Sequence, residues 1–199
     1  MIKKFQEFIT EEVSKNEPIK EIRDNKICIV LMGTPGVGKS YFVKNYIRTR
    51  RDLKVFSTDD ISLLYTKDPN KYHVGSADVN ISRILKFIQT SQSFIYDTTG
   101  THPESIFSVV KKSKEAGYKV IFIHLVSPLK QSLKQNIERE RKVDPDYIEF
   151  SYSNQYRNMQ TYREMNPDSY YVVYNKEGKY VFYKYLDGKL LKRKVDVYK

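Results

Sequence analysis

The sequence predicts an α/β fold: a mostly parallel sheet with helices on both faces, ending in a small antiparallel β extension. Three observations predict it. Short β-prone runs alternate with segments of helical spacing from residue 26 to residue 142. The first alternation joins its strand to its helix through a glycine-rich turn, Gly33 to Ser40. Past Pro167 the helical spacing stops, and two hairpin turns follow, Asn175-Lys176-Glu177-Gly178 and Asp187-Gly188.

At 199 residues the chain is long enough for one domain with a real core. The expected division is an N-terminal helix over 1–25 packing on the core, a main domain over 26–166, and a β-hairpin extension over 167–199. No apolar run approaches the ~20 residues that span a bilayer. The first residues, Met1-Ile2-Lys3-Lys4-Phe5-Gln6-Glu7, lack an apolar signal core, so the cytoplasm is the expected location. A single cysteine, Cys28, excludes an internal disulfide framework, and its place in a strand predicts a buried, inert thiol. The net charge of +11 suits a polyanionic partner as well as it suits lysine-rich solubility.

In chain order, Ile2, Phe5, Phe8, Ile9 and Val13 recur at helical spacing, which predicts an amphipathic helix over 2–15, closed by Pro18. The apolar run Ile27–Met32 reads as a strand. Gly33-Thr34-Pro35-Gly36-Val37-Gly38-Lys39-Ser40 then fits G-x-x-x-x-G-K-[ST], and Tyr41 continues into a helix. The glycines let the backbone turn tightly beside an anion, and the helix start adds unpaired N–H groups and a positive dipole end. This P-loop predicts a nucleoside triphosphate ligand, ATP, with Lys39 reaching the β and γ phosphates and Ser40 binding Mg²⁺.

A second strand near Leu53 to Phe56 ends in Ser57-Thr58-Asp59-Asp60. Carboxylates at a strand's C-terminal end lie where open α/β sheets bind ligands, and Thr58 or Asp59 would also cap the next helix. Residues 67–77 read as an irregular loop containing His73, and 78–91 as a helix on which Arg83 faces solvent or a phosphate acceptor. The strand at Ser93 to Tyr96 ends in Asp97-Thr98-Thr99-Gly100-Thr101, and Asp97 is placed as a Walker B carboxylate for Mg²⁺. Pro103 and Glu104 open a helix that closes at Gly117. A strand over 118–126 carries His124 as a core or sheet-face histidine. A helix over 128–142 carries Arg139 and Arg141 as either a cationic cover for nucleotide or a solvated face, and 146–165 reads as one further helix. In the C-terminal strands, tyrosines alternate with lysine and arginine. That texture fits a nucleic-acid surface and equally a half-buried sheet with lysine-guarded edges.

Residues 26–175 resemble the polynucleotide kinase and zeta-toxin group of P-loop kinases, in the order P-loop, strand-Thr-Asp-Asp, strand-Asp-Thr, Arg-bearing helix. The resemblance to phage-type polynucleotide kinases implies that Asp59 is the general base, that Asp97-Thr98 is the matching strand end, and that Arg139 is the lid arginine, with Arg141 in reserve. Glu115-Ala116-Gly117-Tyr118 and Tyr174-Asn175-Lys176-Glu177-Gly178 are similar to zeta-toxin segments. Two positions depart: Ser62 stands where the polynucleotide kinases carry an acceptor-binding Arg, and Thr101 where zeta toxins carry a sugar-nucleotide-binding Arg. The expected activity is transfer of the γ-phosphate of ATP to a hydroxyl. The first acceptor expected is a nucleic acid, at a 5′ end or a hydroxymethylated base, with Asp60, Arg83 and Thr98 as acceptor contacts. The alternative is a zeta-like kinase of a nucleotide sugar or other small metabolite, and a third reading is an NTPase switch.

Overall fold

The computed structural model describes residues 9–13, 26–47, 53–65, 73–139, 141–186 and 189–193. Among the described residues there are eight strands: β1 (Ile9–Val13), β2 (Ile27–Met32), β3 (Lys54–Ser57), β4 (Phe94–Thr98), β5 (Lys119–Val126), β6 (Ser169–Lys176), β7 (Lys179–Leu186) and β8 (Lys189–Arg193). They form one sheet in the order β1-β8-β7-β6-β5-β2-β4-β3. β7 runs against its neighbours β6 and β8, and every other pairing is parallel.

The helices are α1 (Lys39–Phe42, continuing as a π turn through Val43–Ile47), α2 (Thr58–Tyr65), α3 (His73–Phe87), α4 (Pro103–Glu115), α5 (Leu129–Ile137), α6 (Pro145–Arg157) and α7 (Met159–Glu164). Strand alternation sorts their packing. In β2, Cys28, Val30 and Met32 face a core shared with Ile84 of α3, Val109 of α4 and Tyr162 of α7. Ile27, Ile29 and Leu31 face a second core with Phe42 and Ile47 of α1 and Phe182 of β7. Both faces of β2 are fully buried, as a central parallel strand requires. Cys28 lies at 0% exposure, and burial pushes its thiol up to about 12, so it is inert.

The structure differs from the sequence-based expectations in five places. Ile9–Val13 is a strand paired in parallel with β8, with Ile9 opposite Leu190 and Val13 opposite Arg193, where a helix over 2–15 was expected. A stretch with Ile9, Thr10 and Val13 carries β-branched residues that suit a strand, and an available sheet edge decides between the two. The rest of 1–25 lies outside the described residues. Helix α3 begins at His73, so 73–77 is helical and only 66–72, outside the described residues, separates it from α2. Helix α5 ends at Ile137, which leaves Arg139 and Arg141 beyond it. The stretch 146–165 is two helices, broken at Asn158. Finally, β6 pairs in parallel with β5, so the antiparallel part begins only at β7, and β6 and β7 share the main core.

Candidate nucleotide and acceptor site

The loop between β2 and α1 sits at the C-terminal ends of β2 and β4, where Gly33 N–H donates to the Thr98 carbonyl at 3.2 Å. Two glycines are required there. Gly36 has φ +82°, and a Cβ on it would collide with the carbonyl of Ser132 in α5. Gly38 has φ +96° and caps α1 in a left-handed conformation. Thr34 and Val37 are buried at 1% exposure, so the inner side of the loop is anchored in the core. Ser40 and Tyr41 are exposed at the start of α1.

Lys39 folds back over the loop. Its Nζ donates to the Gly33 carbonyl at 2.7 Å and lies 3.7 Å from Oδ1 of Asp97. Asp97 is mostly buried, and burial raises its carboxyl to about 6 against the opposing pull of Lys39. Asp59 and Asp60, in the first turn of α2, push it in the same upward direction. Asp59 N–H donates to Ser57 Oγ at 3.1 Å, and the Asp59 carboxylate accepts Arg141 Nη1 at 2.8 Å. A cavity of about 710 Å³ joins these groups: Ser40, Lys44, Ser57, Asp59, Asp60 and Asp97 line it, with apolar walls from α1, β3 and β4.

The residues expected from sequence therefore divide. Lys39, Ser40, Asp59, Asp60 and Asp97 come together. Arg141 reaches Asp59, whereas Arg139 is half-exposed in the bend after α5. Thr98 faces the following loop, its Oγ1 accepting Gly100 N–H at 3.4 Å. Arg83 is exposed on α3 and is not part of the cavity lining. Tyr41 turns its ring against Tyr180, with centroids 6.1 Å apart and planes 8° from parallel.

Sequence reasoning missed the groups that brace the site. Asn158 Nδ2 donates to the Thr101 carbonyl at 3.2 Å, and the Tyr162 hydroxyl donates to the Gly100 carbonyl, so the α6–α7 corner holds the loop after β4. Asn175 Nδ2 donates to the Val37 carbonyl at 2.8 Å, a contact spanning 138 positions. Its local signal, Asn175-Lys176-Glu177-Gly178, reads as a turn that is similar to a zeta-toxin segment, and neither reading points to Val37. His124 is fully buried between Tyr170 and Gln155, at 3.1 Å to each, and burial lowers it to about 4, which keeps it neutral.

A zeta toxin family model matches residues 10–186. This chain belongs to the zeta toxin family. Its fold is that of the P-loop kinases, in agreement with the resemblance and the fold class read from sequence. The L-seryl-tRNA(Sec) kinase of Methanococcus maripaludis is 28% identical over 130 residues, covering 63% of this chain and 51% of that protein. This zeta-family chain thus spans about half the length of that curated relative. Among solved structures, the AvrRxo1-ORF1:-ORF2 complex with ATP superposes with a TM-score of 0.67 at 15% identity, over 88% of this chain and 63% of the other. The toxin–antitoxin system PezAT of Streptococcus pneumoniae gives 0.62 at 15% identity, over 90% and 76%. The family match alone runs from residue 10 to residue 186, and so includes β6 and β7.

Proposed function

We propose that this chain transfers the γ-phosphate of ATP to a hydroxyl group of a small metabolite of the nucleotide-sugar class. The observation that carries the reading is the Asp59 carboxylate, which lines the same cavity as Ser40 and Asp97 and is gripped by Arg141 at 2.8 Å. Phosphoryl transfer consists mostly of positioning and charge stabilisation. Lys39 carries charge to the β and γ phosphates. Asp59 orients the acceptor hydroxyl and takes its proton as the oxygen bonds to phosphorus and ADP leaves. Arg141, paired with Asp59 at 2.8 Å, adds positive charge beside the carboxylate that meets the acceptor.

Ser40 and Asp97 both line the cavity and offer a hydroxyl and a carboxylate, the hard oxygen donors that Mg²⁺ takes, and would hold it. Held by these two residues, Mg²⁺ would neutralise phosphate charge. The ATP in the AvrRxo1-ORF1:-ORF2 complex supports the choice of nucleotide.

Membership of the zeta toxin family favours the small-metabolite acceptor over the nucleic acid first expected. The C-terminal texture supports the same choice. Phe182 and Tyr183 are buried, Tyr180 packs on α1, Lys184 lies 5.2 Å over the Tyr171 ring, and Tyr185 takes Arg163 on its face at 4.9 Å. Rings engaged in this way are not free to stack on bases. An acceptor attached to nucleic acid is the second reading, favoured by the 28% identity to a kinase named for seryl-tRNA.

The test is incubation with γ-labelled ATP and a panel of nucleotide sugars, nucleosides, DNA, RNA and aminoacylated tRNA. Label on a nucleotide sugar, with a rate that changes little between low and moderate salt, is the expected result. Label confined to a polymer, with affinity falling steeply with salt at a log–log slope near ~0.7 per phosphate contact on single strands, would overturn the metabolite reading.

A further inference from the structure

The turn joining β6 to β7 lies against the phosphate loop, and one side chain makes the join. Asn175 is 1% exposed. Its Nδ2 donates to the Val37 carbonyl at 2.8 Å, and its Oδ1 accepts Gly178 N–H at 3.0 Å. A single carboxamide thus links the hairpin turn to the middle of the P-loop. Neighbouring contacts fix the hairpin in turn. Tyr180 lies parallel to Tyr41 and meets the Tyr46 ring edge-on at 5.1 Å, while Glu177 N–H donates to Gln131 Oε1 of α5 at 3.0 Å. A Cβ on Gly38 would stand 2.9 Å from the Tyr180 hydroxyl and 3.1 Å from Asn175 Nδ2, so the hairpin is seated about as close as glycine permits.

Peptide planarity turns this packing into an effect on the ligand. The Val37–Gly38 peptide is trans, so its C=O and N–H point in opposite directions. Drawing the Val37 carbonyl toward the hairpin aims the Gly38 N–H to the other side, into the loop, where P-loop amides receive phosphate oxygens. We propose that Asn175 is a positioning residue for the nucleotide, holding the Gly38 amide in its phosphate-binding orientation from the C-terminal hairpin. Asn175 acts through Val37 and needs no contact with ATP itself. The inference rests on the reading that ATP is the ligand of this loop. It gives the C-terminal strands a part in nucleotide recognition that neither nucleic-acid binding nor edge protection supplies.

Asn175→Asp keeps the size and the oxygen that serves Gly178, and sets a second oxygen against the Val37 carbonyl. Asn175→Ser is too short to serve both partners. ATP affinity is read by calorimetry, with KM and kcat for ATP measured alongside thermal melts, on wild type, both variants and Lys39→Ala. A buried carbonyl left without its donor weakens ATP binding roughly tenfold to a hundredfold in Asn175→Asp, and by less in Asn175→Ser. KM for ATP rises with it, while kcat at saturating ATP stays within about threefold, because the chemical groups are untouched. Folded variants that bind ATP within about twofold of wild type overturn the proposal, since that is under half a kcal/mol and within the reach of packing changes. So does loss of a cooperative melt in both variants, which makes Asn175 a structural residue only. If Lys39→Ala weakens ATP binding and the Asn175 variants do not, this proposal alone falls. A wild-type protein that binds no ATP removes the phosphotransferase reading and the proposal together.

Discussion

On the β3 and β4 side of the phosphate loop the chain places Asp59, Asp60, Asp97 and Arg141. On the β6 and β7 side it places Asn175, Tyr180 and Phe182. The first group is charged and partly solvated, with Asp59 at 47% and Arg141 at 21% side-chain exposure. The second is neutral, and Asn175 and Phe182 are at 1% and 2%. An exposed ion pair contributes about 0–1 kcal/mol to stability, so the Asp59–Arg141 contact can open without unfolding anything. A buried carboxamide bonded at both ends, with aromatic rings packed alongside, cannot. The contrast assigns the changeable contacts to the flank of the proposed chemistry and the fixed ones to the flank that packs against the loop.

The sharpest attack on this contrast removes the group that stands between the two flanks. Lys39→Ala should cost roughly a hundredfold or more in phosphoryl transfer, the scale of a preorganised charge lost from a transition state. Near-normal turnover in a folded Lys39→Ala protein would sink the P-loop assignment. Asp59→Asn comes next: it should remove transfer to the acceptor while ATP affinity, read by calorimetry, stays close to wild type. Weakened ATP binding with transfer retained would place Asp59 with the nucleotide instead.

The two arginines test how the charged flank is divided. Arg141→Ala should lower kcat about tenfold or more with little change in ATP affinity, because its contact matters most in the transition state. Arg139→Ala should do much less, and its melting temperature and that of Arg141→Ala should both lie near wild type. The reverse ranking of rates would restore Arg139 as the lid residue.

The smallest effect is one of pH. Burial raises the Asp97 carboxyl from the usual 3.8 to about 6. A raised folded pKa means that the unfolded chain loses this proton first. Stability is therefore unpenalised below about 4, declines as pH climbs from about 4 to 6, and is flat beyond. Asp97→Asn should flatten that decline, seen as a melting-temperature difference from wild type that widens across the interval and then holds. It should also weaken the Mg²⁺ dependence of the reaction before it affects acceptor binding. An unchanged pH slope in Asp97→Asn would show that the carboxyl titrates like a solvated one.

How far the sequence disclosed this arrangement depends on the range of each contact. The strand–turn–helix at Ile27 to Ile47 and the acidic strand ends at Asp59 and Asp97 were legible, because local spacing and turn chemistry specify them. Arg141 was legible as a residue but not as the partner of Asp59: helix α5 stops at Ile137, and the bend beyond it swings the guanidinium to α2. Ile9–Val13 misled because its apolar spacing satisfies a helix, while its pairing partner β8 lies at the far end of the chain. Asn175 looked like a turn residue, since its function as a tether depends on Val37, which no local pattern connects to it.

That tether carries a consequence for how the protein is made. Val37 and Asn175 are 138 positions apart, and β5 pairs with β2 on one side and β6 on the other before the hairpin can dock. During synthesis the loop emerges early, yet its brace arrives only after most of the described chain has left the ribosome. Contacts of such separation form late and slowly. If Asn175 orients the loop as proposed, the phosphate loop of a nascent chain is made well before the residue that would hold it in shape for ATP.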